Sequence, residues 1–281
     1  MKNYFFKIYM RLFQILIFCF IIFSTQIYSQ NKKDANGRKQ GFWKVYKDGK
    51  AFYEGNFKDN LPIGEFKRFY KNGKIKAIIN HIRDEDLSFV KYFDKKGKFI
   101  AEGHYRKKQK YGLWKYYDSS NGKLISEDNF ENGKLNGESK IFYDNGFIYE
   151  KTIYRNGMKN GVSKQFFLEK NKQGEIKIGY VYKNDKLNGN MQLFFKNGQL
   201  EIKGKYKENR RVENWIFYKE NGEIKQEIKY DEMGTPENKH EIEERENNIL
   251  KKYEDEYQMQ KYKLQDLDKK LRKGVKDMRN F

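Results

Sequence analysis

A glycine returns along this chain at a period that constrains its fold more than any other feature. Gly41, Gly64, Gly112, Gly137, Gly161 and Gly189 each open a unit, and Ser88 and Glu213 hold the same place in two more. Successive openers lie 23, 24, 24, 25, 24, 28 and 24 residues apart. A unit this short cannot bury a core alone and must stack on its neighbours. Inside every unit lies a second glycine, at Gly49, Gly73, Gly97, Gly122, Gly146, Gly174, Gly198 and Gly222, and five of these follow Asn and one follows Asp. Such pairs supply the positive φ angles of tight hairpin turns. Each unit therefore reads as strand, turn, strand, second turn. The spacing predicts a mostly β chain: an elongated, single-layer, solenoid-like antiparallel β-meander of about eight hairpin repeats over residues 41–236.

Alternation along a strand sorts the residues after each opener into two faces. The fifth is aromatic in all eight units, as Tyr46, Phe69, Phe93, Tyr117, Phe142, Phe166, Phe194 and Tyr218. These rings are expected to form a structural ladder between copies. On the opposite face the second residue varies, through Trp43, Phe66, Val90, Trp114, Ser139, Ser163, Met191 and Trp215. Variation favours specificity over packing, so Trp43, Phe66, Trp114 and Trp215 are expected to mark a partner-binding face.

The two ends differ from the repeats. Lys2, Lys7 and Arg11 precede an apolar run from Leu12 to Phe23, and Ser29 precedes Gln30. This layout predicts a signal peptide over 1–29, followed by a linker over 30–40. Export to the periplasm, outer envelope or medium is the expectation, with an N-terminal membrane anchor as the alternative; after cleavage no transmembrane span remains. The single cysteine, Cys19, lies within the apolar run, so the mature chain would have no thiol. Beyond Pro236, apolar residues recur at Ile242, Ile249, Tyr253, Tyr257, Leu264, Leu267, Leu271, Val275 and Met278 with helical spacing. That pattern predicts an amphipathic helix over 237–281, able to cap the last repeat or to dock on a partner.

With 59 Lys and Arg against 39 Asp and Glu, the formal net charge is +20. A surplus of that size suits anionic partners. In a regular meander the second turns share one edge, where Lys107, Lys108, Lys110, Arg210 and Arg211 form a candidate polyanion site for anionic lipid or acidic glycan. Export disfavours nucleic acid. Catalytic signals are missing from the sequence. His81, His104 and His240 have no metal-type spacing, the glycines follow turn spacing rather than a phosphate loop, and Asp84 with Asp86 reads as a solvated loop. The expectation is a non-enzyme with no cofactor and no metal.

Gly112-Leu113-Trp114-Lys115-Tyr116-Tyr117 with Asn121-Gly122-Lys123, and Tyr154-Arg155-Asn156-Gly157-Met158-Lys159-Asn160-Gly161, carry a resemblance to the MORN repeat. More specifically, the pattern resembles the bacterial variant of YwqK-type antitoxin-like proteins, across about residues 41 to 236. The resemblance implies a curved β-meander used for protein contact, or for lipid contact in some relatives, and it brings no catalytic residue. Together these features point to an envelope or secreted scaffold for protein–protein recognition. Binding of anionic lipid or acidic glycan, and antitoxin or immunity activity, are the alternatives.

Overall fold

The computed structural model describes residues 30–82 and 86–237. The expected signal peptide over 1–29, Asp84, and all but the first residue of the helix expected over 237–281, including His240, lie outside the described residues. The described chain is β throughout, with eighteen strands and every pairing antiparallel. The described residues divide into two compact units, 30–82 with 95–97, and 86–94 with 98–237.

In the first unit β1 (Lys32–Lys33), β2 (Lys39–Lys47), β3 (Lys50–Lys58), β4 (Leu61–Phe69) and β5 (Ile75–Ile82) pair in chain order. The second unit runs in the same way through β6 (Leu87–Phe93), β7 (Phe99–Arg106), β8 (Gln109–Tyr117), β9 (Leu124–Glu131), β10 (Lys134–Phe142) and β11 (Ile148–Arg155). It continues through β12 (Met158–Phe166), β13 (Ile176–Lys183), the broken pair β14 (Lys186–Leu187) and β15 (Gly189–Phe194), then β16 (Leu200–Lys207), β17 (Arg210–Tyr218) and β18 (Ile224–Tyr230). Counting β14 and β15 as one interrupted strand, β2 onward makes the eight hairpins that the glycine period predicts. The short β1 folds back on β2. At β18 the chain returns through a turn, Pro236 bridging Tyr230 and Glu237 donating to the Lys229 carbonyl at 2.8 Å. A proline laid along an outer strand discourages pairing with another chain.

The two turns of each unit are built differently. In most first turns only the glycine takes a positive φ, as Gly73 does at 80°, and the hairpin register shifts by one residue beside it. Gly73 donates to the Tyr70 carbonyl at 2.9 Å and Tyr70 donates to Lys74 at 2.8 Å, a type I turn closed by a glycine bulge. Gly174 departs from this pattern. It is absent from the positive-φ residues and sits in a longer loop where an added Cβ would meet the Phe167 carbonyl oxygen at 1.9 Å. Second turns put two adjacent residues in the left-handed region, as at Asn132 and Gly133 (48° and 76°) or Glu208 and Asn209 (51° and 68°).

Those second turns staple one repeat to the one before. Asn209 donates its amide to the Leu187 carbonyl at 2.9 Å, and its side-chain oxygen accepts from the Leu187 amide at 2.7 Å. Asp185 does the same to Lys159, and Asn60 to Lys39. Asx residues are therefore selected here for two reasons: they tolerate left-handed φ, and they satisfy a backbone donor one repeat away.

The core lies on the face that carries tryptophan, which corrects the expectation that this face is open to a partner. Trp114 and Trp215 are completely buried, Phe66 is 4% exposed and Trp43 8%. Each of three rings lies over a glycine of the preceding strand: a Cβ on Gly103 would stand 2.3 Å from the Trp114 ring, one on Gly204 2.2 Å from Trp215, and one on Gly55 2.3 Å from Phe66. The missing side chain lets the indole lie flat on the backbone, where its N–H donates to the His104 carbonyl (3.0 Å) or the Lys205 carbonyl (3.3 Å). Tyr105 then meets Trp114 edge-on at 5.1 Å, and Tyr206 meets Trp215 at 5.0 Å.

Replacing Gly103 by Ala should therefore lower stability by about 1–3 kcal/mol through overpacking, seen as a lower urea midpoint by circular dichroism. In a Trp114→Leu background the same replacement should cost less than half as much. Equal costs in the two backgrounds would show that the ring does not set the glycine requirement.

Candidate interaction surface

With the tryptophan face consumed, the surface on offer is the opposite face, where the residue three after each opener is usually lysine. Its cross-strand neighbour is usually glutamate. In the first unit the register places Lys44 opposite Glu54 and Glu54 opposite Lys67, and Lys44 Nζ lies 3.0 Å from Glu54. In the second unit the row runs Lys91, Glu102, Lys115, Glu127, Lys140 across β6 to β10. Lys115 Nζ is 3.5 Å from Glu127, and Lys140 is 3.8 Å from it. Opposite charges facing each other across strands stabilise a sheet by a few tenths to about 1 kcal/mol per pair.

The invariant rings lie beside this row. They are half-buried or exposed rather than sealed, Tyr46 being 59% exposed. Across the hairpin, Phe69 faces Ile75, Phe142 faces Ile148, Phe166 faces Ile176, Phe194 faces Leu200 and Tyr218 faces Ile224. Phe99 links two rings directly, its centroid 5.8 Å from Phe93 and 4.7 Å from Tyr117. Burial, together with the Glu102 carboxylate that accepts from Tyr117 at 3.1 Å, pushes the Tyr117 phenol up to about 12. The rings expected to form a ladder thus lie on the more open face, with Phe99 joining Phe93 and Tyr117.

The alternation of charge breaks at β11. Lys151 occupies the place where Glu54, Glu102 and Glu127 stand in other hairpins, so Lys140, Lys151 and Lys164 face one another on three successive strands. Gly179 and Gln192 follow, then Lys203. One carboxylate serves the first two lysines: Glu138 lies 2.9 Å from Lys140 and also pairs with Lys151. Partial burial would raise the Glu138 carboxyl, but hydrogen bonds from Lys151 and Lys140 outweigh it and hold the group below its usual range. The same contact with Glu138 raises Lys140.

On the other side of those strands the core also changes character. Asp128 and Thr152 replace the small residue under the ring, and Ser139 and Ser163 replace the ring itself. A buried polar network results. The Glu150 carboxylate, 3% exposed, accepts from Thr152 at 2.9 Å and from Gln165 at 3.1 Å. Thr152 and Ser163 hydroxyls meet at 2.7 Å, and Ser139 donates to Asp128 at 2.6 Å. Burial, then the negative charges of Glu150, Asp128 and Asp185, raise the Tyr154 phenol. The sequence carried this signal, since serine replaces the ring in two repeats where Asp128 or Thr152 replaces the glycine, but it becomes legible only once the ring is known to lie on the glycine.

The five residues expected to form a basic edge separate into two groups. Lys107, Lys108 and Arg210 are exposed at the turns. Lys110 and Arg211 are turned onto the core rings, a correction to the expected edge. Lys110 Nζ lies 4.6 Å from the Trp114 centroid and 4.7 Å from Phe130, and it donates to the Tyr116 hydroxyl at 2.7 Å. Arg211 lies 4.9 Å from Trp215 and donates to the Tyr230 hydroxyl at 3.1 Å. Lys39 caps Trp43 (5.0 Å) and Phe57 (4.8 Å) in the same way. A cation two residues before the opener thus covers every tryptophan of the described chain, because a ring face lying at the margin of the core attracts an ammonium or guanidinium group. His81 is half-buried beside Phe66, and burial lowers its pKa.

Among the described residues no group of three His, Cys, Asp or Glu side chains could hold a metal ion, and no helix is long and apolar enough to cross a membrane. This surface carries rows of charge between half-buried rings.

The MORN repeat variant family model matches residues 62–82, 135–156 and 187–208. All three matches fall on hairpins whose residue two before the opener is apolar, Pro62, Leu135 or Leu187, rather than a capping cation. No curated protein matches the chain.

Truncating Lys110 to Ala should cost about 1–2 kcal/mol through the lost ring contact, whereas Lys107→Ala should change stability by less than about 0.5 kcal/mol. Thermal unfolding of both variants checks this, and equal effects would mean that Lys110 is merely one more surface charge.

Proposed function

We propose that this protein is a non-catalytic repeat scaffold that recognises a protein partner on the face bearing the lysine–glutamate rows and the rings. One observation carries this reading. The tryptophans and their glycines are spent on internal packing, while exposed large apolar side chains such as Leu113 (42%) and Val162 (44%) stand on the opposite face among charges. Apolar side chains set among charged ones on a rigid framework suit contact with another protein, where a few anchors supply most of the affinity and a polar rim supplies register. The three repeats similar to the MORN repeat variant support a scaffold role. Restraint of a protein toxin would be one instance of such recognition, and export to the envelope would fix the compartment in which the partner is met.

A photo-crosslinking residue at Val162 should give discrete protein adducts in cells, and one at Lys108 on the turn edge should give none. Adducts from Lys108 alone, or no adducts from Val162 in a folded protein, would refute recognition through this face.

A further inference from the structure

Strands β10 to β12 depart from the repeat on both of their faces at once. On the core side the ring and glycine give way to the hydrogen-bonded group of Ser139, Glu150, Thr152, Ser163 and Gln165, with Asp128 on the adjoining β9. On the open side the charge alternation fails, so Lys151 stands directly between Lys140 and Lys164. Like charges opposite one another destabilise a sheet. Glu138 pairs with Lys140 and Lys151, and Glu127 lies 3.8 Å from Lys140; among the described residues Lys164 has no carboxylate partner. Beside Lys164 the row meets Gly179, where an added Cβ would touch nothing within 4 Å, leaving an open floor next to the unpaired ammonium group.

The margins of the row are apolar. Phe142 and Phe166 with Ile148 and Ile176 line one side. Ile153, Val162 and Val181 line the other, with Glu138 opposite Ile153 at its β10 end, Ile153 packing against Gly161 and Val181 against Gly189. A row of cations between two apolar margins is complementary to an acidic segment whose carboxylates are flanked by apolar side chains. Neighbouring strands are about 4.8 Å apart, and side chains four apart on a helix are about 5–6 Å apart, so successive carboxylates of one segment can meet successive lysines.

We infer that β10–β12 form a docking site for an acidic, partly apolar segment of a partner protein, seated on Lys140, Lys151 and Lys164. The inference rests on the protein-recognition reading above and names the chemistry of its partner. Three adjacent lysines, two of them sharing Glu138 and the third without a carboxylate, account for the acidic character, and Ile153 and Val162 with Phe142 and Phe166 account for the apolar one. Occupancy would supply a carboxylate to Lys164 and add to the one that Lys140 and Lys151 share.

The test uses the full chain and a fluorescein-labelled peptide carrying glutamate at every fourth position with leucine on either side of each, read by fluorescence anisotropy. Binding is expected, and a peptide with glutamine in place of glutamate should not bind. Lys151→Glu restores alternation along the row, so it should weaken peptide binding about tenfold or more while leaving the melting temperature equal or higher. Lys123→Glu, the same charge change at an exposed turn, should leave affinity within about twofold. The inference is overturned if Lys123→Glu weakens binding as much as Lys151→Glu, if the glutamine peptide binds equally well, or if the chain binds vesicles of anionic phospholipid but not the peptide. Adducts from Val162 without peptide binding would remove the acidic partner and leave protein recognition standing; loss of both would remove both.

Discussion

An aromatic ring laid flat on a glycine of the neighbouring strand is the contact on which the rest of this molecule depends. A single sheet has no second layer to cover its core, so large side chains must find burial within the face itself. Removing one Cβ under each ring, at Gly55, Gly103 and Gly204, creates the space, and Phe66, Trp114 and Trp215 fill it. Truncating a buried ring of this kind typically costs about 3–5 kcal/mol, so a few such contacts account for much of what holds successive hairpins together. The neighbouring tyrosines close against the ring edges, and a cation covers what remains.

The basic residues of this chain do not act as one population. Lys39, Lys110 and Arg211 belong to the core, lying over rings and donating to tyrosine hydroxyls. Lys44, Lys67 and Lys115 belong to cross-strand or same-strand ion pairs. Lys107, Lys108 and Arg210 are exposed turn residues, the two lysines in the left-handed region. Net charge overstates the cation density available to a partner, because several of these groups are already engaged. On the open face, glutamate is missing from the row at Lys151 and Lys164, which stand side by side.

Departures from a repeat carry more information than its consensus. Hairpins that keep glycine, ring and alternating charge solve the packing problem in one way, and those residues are explained by stability. At β10–β12 both faces abandon that solution. The buried hydroxyls and carboxylates there are satisfied by one another, while on the adjoining β9 the Ser126 hydroxyl is buried without a protein partner. A polar core segment is less stabilising than a packed ring, which makes it a natural boundary between the aromatic cluster around Trp114 and the one around Trp215.

By itself the sequence determined the period, the eight hairpins, the positions of the turns and the division of each strand into two faces. These follow from local rules: glycine and Asx at positive φ, and side chains alternating along a strand. It did not determine which face is the core. Invariant rings suggested one and variable tryptophans the other, and the burial runs opposite to the expectation, because what decides it is a glycine in the preceding strand, some eleven residues before each ring. The fate of Lys110 and Arg211 was hidden for the same reason, since a cation at a turn looks solvated until a ring is placed beneath it. Tertiary structure alone supplied those neighbours, and the strand register that puts Lys140, Lys151 and Lys164 side by side is a property of the sheet rather than of any one hairpin.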